Sequence, residues 1–233
     1  MRYTGVTSRG IITPIFQQGD DLVSSIVTSV KEASENEGFS LNDGDIIGVT
    51  EAVVARTQGN YATTDQIAAD VRAKLGGEDV GIVFPIMSRN RFSVVLKGIA
   101  MGCKKLYIQL SYPSDEVGNL LVARDIFDEA GVNPYADSFT EKEFRKLFGK
   151  DKTIHRFTGV DYIEYYKSFG DSIEIIFSND PTYILKYTGN VLNCDIHTRK
   201  RTQRLLKNAG AERSFRLDEL LTSSVMGSGY CEE

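Results

Sequence analysis

An α/β architecture, with mixed sheets flanked by helices, is what this sequence predicts, and three observations carry the prediction. Amphipathic helical periods alternate with short apolar runs over the first half of the chain. Gly-rich and Asn-Asp-Gly turns separate them. Strand-like runs then return after a polar, aromatic-rich stretch. A length of 233 residues, 41% hydrophobic and 25% charged, suits one large domain or two small ones.

The first helix is expected to start at Asp20 or Asp21, whose side chains can cap free backbone N–H groups. Leu22, Ile26, Val30 and Ala33 recur at helical spacing, and Gly38 ends the segment. Asn42-Asp43-Gly44 is a turn signal before a short buried strand expected from Asp45 to Thr50, which runs into a turn or helix. Another helix follows from Thr63 or Thr64, with Ile67, Ala68, Val71 and Leu75 on one face and Gly76-Gly77 as terminator. Val80 to Met87 reads as a strand, Ser93 to Met101 as a helix stopped by Gly102, and Leu106 to Leu110 as the next strand. Leu120 to Ala130 is a helix closed by Gly131.

Residues 133–169 change character, being polar, aromatic-rich and helical without a convincing strand, and they read as an inserted helical subdomain. Ser138 and Glu141 fit a capping box for a helix from Glu141 to Phe148. Strands are expected again at Ile173–Phe177, Tyr183–Tyr187 and Val191–Ile196, then a basic helix from Thr198 to Asn208 and a helix-like Leu217–Leu221. The Gly-rich turn Met226-Gly227-Ser228-Gly229 stands near the end, where such a turn normally leads to another element, so a fragment of a longer chain is one reading.

A net charge of -5 argues against a general nucleic-acid binder. No apolar run approaches the roughly 20 residues that span a bilayer, and the first residues lack the apolar core of a secretory signal, so no membrane partner is expected and cytoplasm is the default. Cys103, Cys194 and Cys231 are odd in number and widely spaced, which gives no disulfide framework or zinc knuckle; Cys194, in an apolar run, reads as a buried thiol. With His155 and His197 the only histidines, any metal would be held by carboxylate and hydroxyl oxygens, which suits Mg or Mn. Neither a Walker-type phosphate loop nor a Gly-x-Gly-x-x-Gly fingerprint is present.

Several polar groups stand where strands end. Glu51 and Arg56 follow the expected strand at 45–50; each reads as a solvated helix charge or as part of a ligand site. Asp115, Glu116 and Asn119 form the densest polar cluster, readable as a turn that caps the next helix or as ligands. Asp195 closes an apolar run and is the strongest single metal candidate, with Arg199, Lys200 and Arg201 following at a helix start.

Two stretches, Thr13-Pro14-Ile15-Phe16-Gln17-Gln18-Gly19-Asp20-Asp21-Leu22 and Gly44 through Gly59, together resemble the amino-terminal part of the coenzyme factor 420 (deazaflavin) gamma-glutamyl ligases. The resemblance extends in patches over residues 80–120 and again over 190–230, where Met226-Gly227-Ser228-Gly229 is similar to a Met-Gly-x-Gly loop of those enzymes. It implies one ligase-like domain over 1–233, a homodimer, and a reaction in which GTP and Mg or Mn join L-glutamate to a small carboxylic acid. It also implies nucleotide contacts at Thr13, Pro14, Ile15, Phe16, Glu51, Ala52, Arg56, Asn119, Met226, Gly227 and Gly229, and metal ligands at Asp115 and Asp195. Arg56 stands at the family's Lys, Glu51 at a neutral polar residue, and Ile196 at a Thr. Those departures keep three alternatives in view: ATP in place of GTP, another acceptor acid on the same scaffold, and a non-catalytic nucleotide- or metabolite-binding module.

Overall fold

A computed structural model describes residues 5–231 of the chain. It divides into two compact units, Met1–Tyr61 and Ala62–Glu233. Among its described residues the first holds two helices, α1 (Leu22–Glu37) and α2 (Glu51–Gln58). Asp21 caps α1 as expected, accepting the backbone N–H and the hydroxyl of Ser24, and the Ser24 bonds hold its carboxyl below the usual range. Gly38 closes α1 at φ 67°. Asp20 belongs to a tight turn instead, accepting from Gln17 N–H at 2.6 Å. The next residue back, Gly19, donates its own N–H to Thr57 O at 2.8 Å, tying the turn to α2. Gly59, at φ 67°, ends α2 where a Cβ would stand 2.3 Å from the Gln18 amide, so both its dihedral and the close approach of that side chain call for glycine.

The strand expected from Asp45 to Thr50 does not form. The Asn42–Asp45 turn before it is present, with Asp45 N–H on Asn42 O at 3.1 Å, yet among the described residues of the unit no strand lies beside residues 45–50, and Ile46, Ile47 and Val49 are exposed. An extended run without a partner has no ladder to satisfy its backbone.

The second unit is built on one six-stranded sheet in the order β3-β4-β2-β1-β5-β6. Its strands are β1 (Asp79–Val83), β2 (Lys105–Leu110), β3 (Phe139–Thr140), β4 (Ile173–Phe177), β5 (Asn190–Asn193) and β6 (Arg213–Arg216). All pair in parallel except the short edge strand β3. Parallel strands are covered on both faces, which explains runs such as Val80–Val83 and Ile175–Phe177 that do not alternate with polar residues.

Helices α3 (Thr64–Leu75), α4 (Phe92–Met101), α5 (Arg124–Glu129), α6 (Glu141–Phe148) and α7 (Tyr162–Lys167) contribute Val71, Leu96, Phe127, Phe144 and Tyr166 to one core with Ile82, Ile108 and Ile175. On the opposite face α8 (Arg199–Asn208) and a 3-10 turn, Pro181–Lys186, bury Leu206 and Ile184 against Val83, Tyr107, Ile176 and Val191. Gly81 in β1 lets that turn close on the sheet, because a Cβ there would stand 2.5 Å from Ile184 Cγ1. Gly81→Ala is therefore expected to cost about 1–3 kcal/mol as overpacking, read as a lower urea midpoint at unchanged slope.

Four further expectations are corrected. Tyr183–Tyr187 lies on the 3-10 turn and not on a strand, because Asp180 accepts from Thr182 N–H and hydroxyl and Pro181 opens the turn with its fixed φ. Residues 133–169 do supply a strand, β3, whose two residues pair antiparallel with Ile176 and Phe177. The capping box of α6 uses Thr140 and Glu143, while Ser138 donates to the Ser178 hydroxyl. The helix expected from Leu120 is confined to Arg124–Glu129, and β6 stands where none was expected. Among the described residues no helix is long and apolar enough to cross a membrane.

Candidate functional site

A parallel sheet gathers the loops that follow its strands on one edge. Here β1 leads to β2 on one side while β5 lies on its other side, so the ends of β1, β2 and β5 flank the point where strand order reverses. Open α/β sheets leave a ligand crevice at that point. Three loops meet there, and each carries polar residues.

Asp115, buried after β2, organises two of them. Its Oδ1 accepts from Val117 N–H at 3.1 Å and Asn119 N–H at 2.8 Å; its Oδ2 accepts from Met87 N–H at 2.8 Å and Asn119 Nδ2 at 2.8 Å. The Met87 bond reaches the loop after β1. Glu116 reaches the third loop: its Oε2 accepts from Ile196 N–H at 2.5 Å, with Nδ1 of exposed His197 3.9 Å away.

Asp195, after β5, is 0% exposed. Its Oδ1 accepts from Thr198 N–H at 2.7 Å, and its Oδ2 accepts from the hydroxyls of Thr198 at 2.7 Å and Thr202 at 2.6 Å. The sequence explains the arrangement. Thr198, the N-cap of α8, makes no cap bond of its own and the first turn carries no acid, so Asp195 supplies the negative charge that a helix N-terminus favours.

Both metal candidates therefore spend their oxygens inside the fold. An ionised carboxylate has about four acceptor sites; Asp115 fills four and Asp195 three, the latter without exposed surface. Among the described residues no group of three or more His, Cys, Asp or Glu is gathered so as to hold a metal ion. As arranged, Asp115 and Asp195 do not fit a shared Mg or Mn site; either would first have to release its loop or helix donors.

The other candidates fall as follows. Asn119 is half-buried, its amide donating to Met87 O at 3.3 Å as well as to Asp115. Met226 and Gly227, at φ 51° and 78°, form a tight turn closed by Ser228 N–H on Val225 O, and Gln66 of α3 donates to Met226 O at 3.1 Å. Gly229 follows it, half-buried. Arg199 is committed to the fold through Asp195 O at 2.7 Å and Asp218 at 3.7 Å, while Lys200 and Arg201 are exposed. Burial pushes the Asp218 carboxyl up, but the Arg216 hydrogen bond and charge, with a backbone hydrogen bond and the Arg199 charge, together hold it below the usual range. In the amino-terminal unit Phe16 is buried and Thr13, Pro14, Ile15, Glu51, Ala52 and Arg56 are exposed, Glu51 in the first turn of α2 and Arg56 in its last. Cys194 is buried, and burial pushes its thiol up, so it offers no thiolate near neutrality.

The sequence reading does not single out Met87 or Tyr166, which help to build this edge. Tyr166 is fully buried on α7; its hydroxyl donates to Ile86 O at 2.6 Å and accepts from Ser88 N–H at 2.9 Å. Its one sequence signal is a tyrosine pair, Tyr165-Tyr166, beside the buried Ile163.

The family model described as F420-0:Gamma-glutamyl ligase matches residues 10–221. No curated protein and no solved structure matches the chain. The match spans both units and nearly the whole sequence, including every strand and the loops that meet at the sheet edge, and on that coverage the chain belongs to the F420-0:gamma-glutamyl ligase family.

Proposed function

We propose that this protein joins L-glutamate to a small carboxylic acid with GTP as co-substrate. The family match over residues 10–221 is the observation that carries the reading, and the polar loops at the sheet's strand-order reversal support it. In the reaction the acid's carboxylate oxygen bonds to the γ-phosphorus and the bond from that phosphorus to the bridging oxygen breaks, releasing GDP. The amine of glutamate, having lost a proton, then bonds to the acyl carbon and phosphate leaves. Catalysis of this kind rests on positioning and charge compensation.

In the amino-terminal unit the nucleotide contacts are Thr13, Pro14, Ile15 and Phe16 through main-chain groups, with Glu51, Ala52 and Arg56 on α2. In the second unit they are Asn119 and the Met226, Gly227, Gly229 turn. Asp115 and Asp195 act here by shaping the loops that present these groups. A second copy of the chain completes the working protein, a reading supported by the exposed Val6, Ile12 and Ile46.

Glu51 and Arg56, which depart from the family's usual residues, favour a second reading in which the acceptor acid differs. Phosphate release is the test, with GTP or ATP, Mg or Mn, L-glutamate and a panel of acids. Release that needs both an acid and glutamate is the expected result, and the acid that supports it identifies the acceptor. Native-state binding at about 100-fold excess over Kd adds roughly 2.7 kcal/mol, a melting shift of about 5–10 °C. A shift without release in any combination would leave a binding module; neither shift nor release would end the nucleotide reading.

A further inference from the structure

The loop between β1 and α4 is held by side chains in place of regular structure. Over three consecutive residues, Ile86 O, Met87 N–H, Met87 O and Ser88 N–H each bond to a side chain from elsewhere. The partners are Tyr166 on α7 and Asp115 and Asn119 after β2. Tyr166 takes both outer bonds with one hydroxyl, and its ring is fixed among Phe92, Tyr162 and Tyr165 at centroid distances of 6.1, 5.7 and 6.0 Å. A buried hydroxyl that satisfies one donor and one acceptor leaves little freedom to the peptide units between them. The middle residue, Met87, is the one that grips Asp115 and Asn119. Burial of the Tyr166 hydroxyl pushes its acidity down, so the clasp keeps its proton throughout the neutral range.

We propose that Tyr166 is a positioning residue for the ligand site at this sheet edge, acting through Ile86–Ser88 on the Asp115–Asn119 loop. The inference rests on the functional reading above, in which Asn119 contacts nucleotide. It gives the aromatic stretch 133–169 a role besides packing: its helix α7 sets the geometry of a loop it does not belong to.

Tyr166→Phe tests it, since the ring stays and only the hydroxyl goes. Backbone amide exchange at Met87 and Ser88 is expected to quicken about tenfold while β1 and β2 amides keep their rates. The KM for GTP is expected to rise about 3- to 10-fold at nearly constant kcat, with a melt only about 2–6 °C lower. Unchanged exchange at Met87 and Ser88, or equal acceleration across the sheet, overturns the clasp. Faster loop exchange with unchanged KM overturns the positioning role. If wild-type protein releases no phosphate with any nucleotide, the functional reading has failed separately, and the exchange comparison still decides whether Tyr166 sets the loop.

Discussion

Replacing Asp195 with alanine is expected to destabilise the protein by about 3–5 kcal/mol, because three donors lose their acceptor in a site closed to water. Each stranded donor costs on the order of 1–3 kcal/mol, and the lower end applies to the hydroxyls, which can turn back to carbonyls of their own helix. For a chain of this size the melt should fall by about 6–20 °C. Asp195→Asn is expected to cost about half as much, since its amide oxygen still accepts Thr198 N–H and the two threonine hydroxyls can reverse to accept from its NH₂. Circular dichroism melts and turnover, measured on both variants, separate this role from metal ligation. A ligand lost to a metal site would give a near-native melt with no turnover in Asp195→Asn; a helix clasp gives a lowered melt, with activity reduced in step with folded protein. An Asp195→Ala melt within about 2 °C of the parent would sink the structural role.

The contrast shows which parts of this protein can be read from its sequence. Helices α1, α3 and α4 follow directly from apolar spacing and from Asp21, Thr63 and the glycines that end them, because a helix satisfies its own backbone and its signal is local. Strands do not have that property. Asp45–Thr50 and Ile173–Phe177 look alike as short apolar runs, yet the second has β2 beside it and the first has no strand neighbour among the described residues of its unit. Tyr183–Tyr187 was open to correction from the sequence itself, since Asp180-Pro181 is a turn opening, but the apolar run after it gave the stronger signal.

At the sheet edge the residue types were legible and their bonds were not. Asp115, Asn119 and Asp195 are polar groups placed after apolar strands, and the fold brings their loops to the same reversal of strand order. What Asp115 binds depends on Met87, 28 positions away, and on a loop whose shape Tyr166 sets from 80 positions away. Asp195 is bound by residues three and seven positions ahead, and the Thr198–Thr202 pair on a helix start was the signal for that. A carboxylate at a strand end fits a metal ligand and a helix cap equally well in sequence; the Thr198 and Thr202 hydroxyls that face Asp195 are visible only in the fold.

On the proposed second-copy reading, Ile46→Asp is expected to weaken self-association by about two to four orders of magnitude in the dimer Kd, while leaving the sheet unit intact. Ile46 is 94% exposed, in a run that has no strand partner among the described residues of its unit. Val6 and Ile12 are exposed to the same degree, and the described part of that unit buries few side chains, among them Phe16 and Val30. Apolar groups left so open, beside backbone with no ladder, are what an interface between copies would cover. Burying one isoleucine contributes about 1.5–3 kcal/mol, and a two-fold interface contains it twice, so a charge there costs roughly 3–6 kcal/mol in association. Sedimentation equilibrium of the wild type and Ile46→Asp decides the matter. A wild type that stays monomeric up to the highest concentration reached would end the second-copy reading. A dimer unaffected by Ile46→Asp would place the interface on another surface, because an isoleucine that two-fold symmetry buries twice cannot be exchanged for a carboxylate without changing Kd.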